Sequence, residues 1–189
     1  MTDAEVLRIL EETGAAQDGH FVLSSGLHSG RYFQCAQVLQ YPEQTERLCQ
    51  KLALRVGELG AQVVAGPAFG GIVVAYELAR QLGVRSVFAE RENDRLAFRR
   101  GFTVSPGERV LIADDVITKG GSVLESAELV RACGGEVVGA GVILDRSGGV
   151  DFGMRIEALA RVTVENYSPD SCPLCARGVA LVKPGSRSV

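Results

Sequence analysis

Lysine is scarce in this chain. Of the 20 Lys and Arg residues, only Lys51, Lys119 and Lys183 are lysines, and no basic cluster occurs along the sequence. The formal net charge at pH 7 is −3. Proteins that bind nucleic acids carry a basic patch or stripe, so we expect no nucleic-acid partner. Any essential cation in this protein is expected to be an arginine.

Long apolar runs and a disulfide framework are also missing. The uncharged stretch from Val63 to Tyr76 is interrupted by Pro67 and by Gly70-Gly71, which indicates a strand, a loop and a helix start rather than a membrane span. The five cysteines are an odd number and mostly scattered, which argues against structural disulfides. The acidic N-terminus has no signal-peptide pattern. We therefore predict a cytoplasmic protein without membrane partners.

Short apolar runs typical of buried strands alternate with amphipathic segments. This alternation indicates βαβ units around a parallel sheet. We predict an α/β fold with a central parallel sheet flanked by helices, divided into a hood and cap over 1–40, a core over 41–165 and a tail over 166–189. The first helix is expected to follow a capping box, Thr2-x-x-Glu5. Predicted helices are 3–13, 43–59, 71–82 and 122–133; two extended pieces lie within 20–34, and predicted strands are 63–66, 86–90, 96–104, 109–113, 137–144 and 156–164.

Two adjacent carboxylates, Asp114 and Asp115, stand at the predicted end of a buried strand. The carboxyl ends of parallel strands form the edge at which open α/β folds bind ligands. Paired carboxylates there accept hydrogen bonds from two vicinal sugar hydroxyls. The alternative is that these acids only cap the helix that follows.

The five residues 118–122, Thr-Lys-Gly-Gly-Ser, supply hydroxyls and unobstructed backbone N–H groups. Ser122-x-x-Glu125 matches a capping box, so the next helix is expected to begin at Ser122 and to present its N-terminus to a phosphate dianion. An ordinary Gly-Gly turn would not explain the order of strand, paired acids, threonine, glycines and cap. No G-x-x-x-x-G-K-[ST] and no G-x-G-x-x-G after a strand is present. We predict a binding loop for a phosphorylated sugar.

Residues 110–122 resemble the thirteen-residue signature of the type I phosphoribosyltransferases. This resemblance implies 5-phosphoribosyl 1-diphosphate as a substrate, with the two acids on the ribose hydroxyls. It also implies Mg²⁺, carried largely by the diphosphate, the ribose oxygens and water, with the two acids as candidate ligands through water. Residues 66–72 resemble the diphosphate loop of the family. The implied binding residues are Ala68, Phe69, Gly70, Arg91, Asp114, Asp115, Val116, Ile117, Thr118, Lys119, Gly120, Gly121 and Ser122.

Residues 19–33 resemble the hood of orotate phosphoribosyltransferases, with the pattern F-x-L-x-S-G-x-x-S-x-x-Y. Leu144-Asp-Arg146 resembles the segment whose arginine meets orotate. Orotate is a planar acid, and an arginine offers it a fixed planar fork. The implied reaction is displacement of diphosphate by N1 of orotate, giving orotidine 5′-phosphate. An ordinary hairpin and a surface arginine are the alternatives. The implied orotate-binding residues are Ser25, Gly26, Phe33, Thr118 and Arg146.

The chain departs from this family at several basic positions. Ser24 and Gly70 stand where lysines are common, and the histidine of the long mobile loop is absent. Arg91 matches the family's loop arginine, Glu92 replaces a lysine, and Arg95 is a candidate substitute. With Asp114 and Asp115, Arg91 and Arg95 are the candidate catalytic residues. The resemblance implies a homodimer in which this loop reaches the neighbour's site. The alternative is a plain hairpin that turns at 93–94, with Arg99 and Arg100 on its solvated face.

Cys172-Pro-Leu-Cys175 is the one feature of the tail with possible chemistry. Zinc needs four ligands and this pair supplies two, so the expectation is a turn with two free thiols and no zinc. A Cys₄ site between two subunits is the alternative.

Two further functions stay open: transfer to another base such as a purine, and a non-catalytic regulator that senses phosphoribosyl diphosphate. The hood pattern argues against the first, and the acidic, unclustered charge against the second.

Overall fold

A computed structural model describes residues 1–23 and 25–184 of the chain. It contains two sheets and five α-helices. The helices are α1 Asp3–Glu12, α2 Pro42–Val56, α3 Gly70–Leu82, α4 Gly121–Ala132 and α5 Pro173–Ala176. The strands are β1 Ala16–Val22, β2 His28–Phe33, β3 Val63–Pro67, β4 Arg85–Glu92, β5 Arg95–Phe98, β6 Arg109–Ile117, β7 Glu136–Asp145, β8 Ile156–Arg161 and β9 Asn166–Tyr167.

The larger sheet has six strands in the order β5-β4-β3-β6-β7-β8. All neighbours pair in parallel except β5, which returns antiparallel to β4 at one edge. Side chains alternate across β6: Val110 and Ile112 pack with α4, whereas Leu111 and Ala113 pack with α1, α2 and α3. Because both faces are covered, the central strands read as continuous apolar runs. The predicted α/β class with a helix-flanked parallel sheet is confirmed.

The smaller sheet joins the two ends of the chain. Its strand order is β1-β2-β9, all antiparallel, so the tail adds a strand to the N-terminal hairpin. Further along the tail, Val182 donates to the carbonyl of His20 at 2.8 Å and accepts from the Val22 N–H at 2.9 Å. Helix α1 packs its apolar face into the main core through Val6, Ile9 and Leu10. The division of the chain at residues 40 and 165 stays a prediction.

Three predicted strand ends are wrong, and the smallest error is at β8, which ends at Arg161 instead of residue 164. Strand β6 continues to Ile117 instead of ending at residue 113, so Asp114 and Asp115 lie inside the strand, where the backbone stays hydrogen-bonded to β7 as far as Asp145. Strand β5 ends at Phe98 instead of residue 104. Arg100 then has a positive φ of 55°, which breaks the extended conformation.

The predicted capping box at Ser122 is also wrong, whereas the one at Thr2 is confirmed. Helix α4 begins at Gly121 and its N-cap is Gly120, with no side-chain cap. The Glu125 carboxylate reaches the edge hairpin instead, where it accepts from the Leu96 N–H at 2.7 Å. Within the described residues, no helix combines the length and the apolar character that a bilayer crossing requires.

Candidate active site

A cavity of about 400 Å³ opens at the carboxyl edge of the main sheet, between the N-termini of α3 and α4. Three parts of the chain line it: the end of β3 with the start of α3, the end of β6, and the loop into α4. It brings together most of the residues predicted to bind the phosphoribosyl group. The lining residues are Pro67, Ala68, Phe69, Gly70, Asp114, Asp115, Val116, Ile117, Thr118, Gly120, Gly121, Ser122 and Val123.

Asp114 and Asp115 carry the negative charge of this cavity. Their exposures are only 8% and 9%, and Asp114 Oδ1 accepts the Asp115 backbone N–H at 2.9 Å. Burial and, after it, the neighbouring Asp115 raise the pKa of Asp114 from 3.8 to about 8. Burial likewise raises the pKa of Asp115. No arginine or lysine of residues 1–23 and 25–184 forms an ion pair with either acid, so the pair is suited to hydroxyl donors or a cation from outside the chain.

The N-terminus of α4 offers the opposite electrostatic character. Gly120 adopts φ +78° and supplies no side chain, so the first N–H groups of the helix lack a side-chain cap. A Cβ on Gly120 would lie 2.4 Å from Cε1 of Phe152, which leaves room here only for glycine. Thr118 and Ser122 place exposed hydroxyls beside these N–H groups. An uncapped helix N-terminus with two hydroxyls is a site for a phosphate.

The start of α3 forms the facing wall. Its N-cap is Phe69, again without a side-chain cap, and the Phe69 ring is 88% exposed. A Cβ on Gly70 would lie 2.7 Å from Oδ2 of Asp115. The glycine that occupies the position of the family's lysine thus leaves space for the Asp115 carboxylate. A second helix N-terminus therefore faces the cavity, close to the paired acids.

Arg146 lies at the same sheet edge but does not line the cavity. It follows β7 directly, and its backbone N–H donates to the Ile117 carbonyl at 2.8 Å, which ties it to the end of β6. Its guanidinium carbon is 5.1 Å from the centre of the buried Phe33 ring. Its Nε is buried without a partner among the described residues. Burial lowers the pKa of Arg146. A buried N–H of this kind calls for an acceptor from a ligand.

The hood loop between β1 and β2 lies outside the cavity lining. Ser25 and Gly26 are exposed, and Gly26 has φ +80°. The Gly26 N–H donates to the Leu23 carbonyl at 2.9 Å, and the Leu23 N–H donates to the Leu27 carbonyl at 2.8 Å. In this structure the Gly26 donor is thus used within its own turn. Ser24 lies outside the described residues.

The segment carrying Arg91 and Arg95 is a tight hairpin. Its two turn residues, Asn93 and Asp94, have φ values of 50° and 63°, as a type I′ turn requires. Arg91 pairs with Glu125 of α4 at 2.8 Å, and Arg95 is exposed opposite Glu92. Neither arginine lines the cavity, and neither does Lys119 of the predicted loop. The segment thus adopts the plain hairpin that was given as the alternative. The catalytic role of the two arginines stays a prediction.

One group of residues with ligand chemistry escaped the sequence analysis. Cys172 and Cys175 lie against His20 and His28, the two histidines of the chain. The two histidines raise the number of candidate ligands from two to four. Both cysteines are free thiols, and the expected absence of zinc stays a prediction. Two histidines eight residues apart on a predicted hairpin were the available signal. Nothing in the local pattern indicates that a tail more than 140 residues away returns to them.

The phosphoribosyltransferases are the class that this fold and this loop define. A family model described as "Phosphoribosyl transferase domain" matches residues 37–153, which is more than half of the chain.

Full-length similarity narrows the class further. The orotate phosphoribosyltransferase of Desulforamulus reducens is 57% identical over 190 residues, which covers 100% of both chains. The one from Pelotomaculum thermopropionicum is also 57% identical with the same coverage. The crystal structure of orotate phosphoribosyltransferase from Aeropyrum pernix superposes with a TM-score of 0.67 at 30% identity, covering 83% of this chain and 93% of that one. The chain belongs to the orotate phosphoribosyltransferase family.

Proposed function

We propose that this protein transfers the 5-phosphoribosyl group of 5-phosphoribosyl 1-diphosphate to N1 of orotate, releasing diphosphate and forming orotidine 5′-phosphate. One observation carries the proposal: a single cavity joins two buried carboxylates to the uncapped N-termini of two helices. A ribose that carries phosphate at one end and diphosphate at the other matches this distribution of charge. The acids suit its hydroxyls, and the helix ends suit its two anionic groups.

The cavity supports a division of roles around the ribose. Asp114 and Asp115 accept hydrogen bonds from the 2- and 3-hydroxyls of the sugar. The 5-phosphate is held by residues 116–122, with N–H groups at the start of α4 and the hydroxyls of Thr118 and Ser122 as donors. The diphosphate lies at the start of α3, along residues 68–70.

Orotate is assigned to the space between this cavity and the hood. Arg146 pairs with its carboxylate, and the unsatisfied Nε of this arginine supports that assignment. Thr118, Ser25 and Gly26 complete the orotate site once the hood loop turns its donors toward the ring. Phe33 contributes by holding the guanidinium of Arg146 in place through its ring face.

Mg²⁺ is expected to enter with the diphosphate. This ion retains waters and is usually held through one or two carboxylates together with substrate phosphates. Asp114 and Asp115 fit that ligand set, since they are buried, mutually repulsive and without a cationic partner among the described residues. When bound, Mg²⁺ would supply positive charge that offsets the charge of the departing diphosphate.

Catalysis in this site requires positioning and charge stabilisation rather than a nucleophilic side chain. As the bond from C1 to the diphosphate weakens, positive charge develops on the ribose ring. The ionised Asp114 and Asp115 stabilise that charge from the hydroxyl side. The α3 N-terminus stabilises the departing oxygens, and Arg146 holds N1 of orotate in line for attack.

A homodimer is the assembly that we propose. Its support is an apolar surface groove of about 400 Å³ beside the edge hairpin, on α3 and β4. Val73 and Tyr76 in this groove are 40% and 67% exposed. The resemblance to the family implies that the Arg95 hairpin of such a dimer reaches the partner's cavity. The cytoplasmic location predicted from the cysteines stays a prediction. The groove is lined by Ile72, Val73, Tyr76, Ser86, Phe88 and Phe102.

A spectrophotometric assay tests the function directly. The protein is mixed with orotate, phosphoribosyl diphosphate and Mg²⁺, and loss of orotate absorbance is followed while diphosphate is measured in parallel. We expect turnover with orotate, none with adenine, guanine or hypoxanthine, and complete loss in excess chelator with recovery on adding Mg²⁺. Turnover of a purine alone would support the other-base alternative. Binding of phosphoribosyl diphosphate without turnover of any base would support the regulator.

A further inference from the structure

We propose that His20, His28, Cys172 and Cys175 form a structural zinc site that fastens the C-terminal tail to the hood. The four candidate ligand atoms all lie within 4.8 Å of one another. The two histidines come from the hairpin of β1 and β2, and the two cysteines flank the start of α5. The site is separate from the substrate cavity, which none of these residues lines.

Four of the six spacings between the ligand atoms are close to those of tetrahedral zinc. With zinc–nitrogen bonds near 2.0 Å and zinc–sulfur bonds near 2.3 Å, a tetrahedron places two nitrogens about 3.3 Å apart and a nitrogen and a sulfur about 3.5 Å apart. Here His20 Nε2 lies 3.0 Å from His28 Nδ1, 3.5 Å from Cys172 Sγ and 3.7 Å from Cys175 Sγ. Cys175 Sγ lies 3.3 Å from His28 Nδ1.

Hydrogen bonding alone does not account for this cluster. Nδ1 of His20 lies 2.8 Å from the Val179 carbonyl, which only accepts, so Nδ1 carries the proton and Nε2 presents a lone pair. Three potential donors, on His28, Cys172 and Cys175, converge on that one lone pair. A central cation would bond to all four ligand atoms at once. The Val179 carbonyl would then accept a hydrogen bond from Nδ1 of His20 and so orient the zinc-bound imidazole.

The donor set favours zinc in a closed, structural site. Two thiolates and two neutral imidazoles complete four-coordinate zinc and leave no open position for a substrate. The charges of two thiolates and Zn²⁺ cancel, which suits a site in which His20, His28 and Cys172 are buried. Four protein ligands on one chain also remove the need for a second subunit.

The tail has little else to hold it in place. Within the described tail residues 166–184, Cys172 is the only buried residue. A segment that buries so little apolar surface does not offset the entropy lost on ordering. Its other ties to the hood include the short strand β9, the backbone bonds of Val182 and the hydrogen bond between His20 Nδ1 and the Val179 carbonyl. A metal that cross-links positions 20 and 28 to 172 and 175 supplies the missing stabilisation.

Metal content tests the proposal without reference to activity. The full chain is produced with zinc in the medium, purified without metal-affinity resin or chelator, and measured by elemental mass spectrometry. We expect about one zinc per wild-type chain, because one closed four-ligand site binds one ion. Cys175→Ser and His28→Ala should each lose most of it. Cys133→Ser, which changes a cysteine outside the cluster, should retain it.

Cobalt substitution and proteolysis supply independent readouts. Metal-free protein titrated with Co²⁺ should develop the intense visible absorption of a tetrahedral thiolate complex, and zinc should abolish it. Trypsin should cut after the exposed Arg177 several-fold faster in Cys175→Ser than in Cys133→Ser. Wild-type protein that binds neither metal, or that carries a Cys172–Cys175 disulfide on isolation, would overturn the proposal. So would zinc retained equally by Cys175→Ser and His28→Ala.

Discussion

At the scale of single residues, the paired acids are the most constrained feature of the site. Burial raises the pKa of both, and the neighbouring Asp115 adds to the effect at Asp114, which suits a sugar–metal complex but disfavours ionisation of the empty protein. Asp114, which is proposed to bind the ligand in its ionised form, therefore destabilises the fold when it is ionised and no ligand is bound. Binding and stability are opposed at Asp114, and the two are separable by experiment.

Asp114→Asn and Asp115→Asn should each lose most transferase activity while the fold survives, because an amide replaces a hydroxyl-accepting charge with little change in volume. Initial rates at saturating substrates, with circular dichroism as the folding control, measure this effect. Near-normal activity in both single variants would remove the acids from the ribose site.

Asp114→Asn should also stabilise the protein without bound substrate, by an amount that depends on pH. The folded pKa of Asp114 is raised from 3.8 to about 8, so folding favours its protonated form and wild-type stability falls as pH rises between about 4 and 8. The gain in melting temperature of Asp114→Asn over wild type should therefore be small at pH 4 and largest near pH 8. A gain independent of pH would contradict the raised pKa.

Arg146→Ala should weaken the use of orotate far more than the binding of phosphoribosyl diphosphate. Loss of a charge-assisted pair in a partly desolvated site costs about 2–4 kcal/mol of transition-state binding, or about 30- to 900-fold in kcat/KM for orotate. Steady-state kinetics with each substrate varied in turn measures both values. Arg161→Ala is a matched control, since Arg161 is an exposed arginine that pairs with Asp145 near the end of the neighbouring strand. An unchanged specificity constant for orotate would place Arg146 outside the site.

At the scale of elements, the turn into α4 shows how backbone conformation replaces side-chain capping. Gly120→Ala should destabilise the protein by at least about 1–2 kcal/mol, since a left-handed φ is costly for alanine and its Cβ would meet Phe152. Gly121→Ala is the control: no atom lies within 4 Å of its Cβ position, and it should be neutral or stabilising by about 0.4–1 kcal/mol. Urea unfolding compares the two variants. Equal midpoints would mean that the turn tolerates either residue.

The end of β6, just before this turn, shows which element boundaries could be predicted from the sequence. Apolar periodicity located every helix of the core and every strand of the main sheet, although it extended β5 well past its end at Phe98. It missed the extension of β6, because Asp114 and Asp115 are polar and strand patterns assign polar pairs to loops. The pairing of β6 with β7 keeps these residues extended, and sheet hydrogen bonding is a long-range property.

At the scale of the whole molecule, assembly decides whether the Arg95 hairpin contributes to catalysis. Arg95→Ala and Asp115→Asn are expected to be inactive separately. In mixed dimers, one site then combines an intact Asp115 with an intact hairpin from the partner, while the other carries both defects. Random pairing makes half of the dimers mixed, so about one quarter of wild-type activity should return after subunit exchange.

Exchange must be verified independently, for example by native mass spectrometry of differently tagged chains. Verified exchange without recovery would assign the hairpin to its own subunit. Arg99→Ala is the matched control, because Arg99 lies on the solvated side of the same hairpin and pairs with Glu92. It should retain activity. A fully active Arg95→Ala would leave the hairpin with a structural role only.

The order of residues along the chain was enough to predict the sugar-phosphate loop, because its acids, hydroxyls and glycines are contiguous. A strand–loop–helix unit brings such sequence neighbours together without contacts from other parts of the chain. The remaining features depend on contacts between distant segments. Gly70 approaches Asp115 because β3 and β6 are adjacent, and Arg146 lies over Phe33 because β7 ends beneath the hood. The His20 and Cys172 cluster likewise exists only because the tail pairs with the N-terminal hairpin. Contacts between segments that are far apart in the chain set these distances, and no local pattern encodes them.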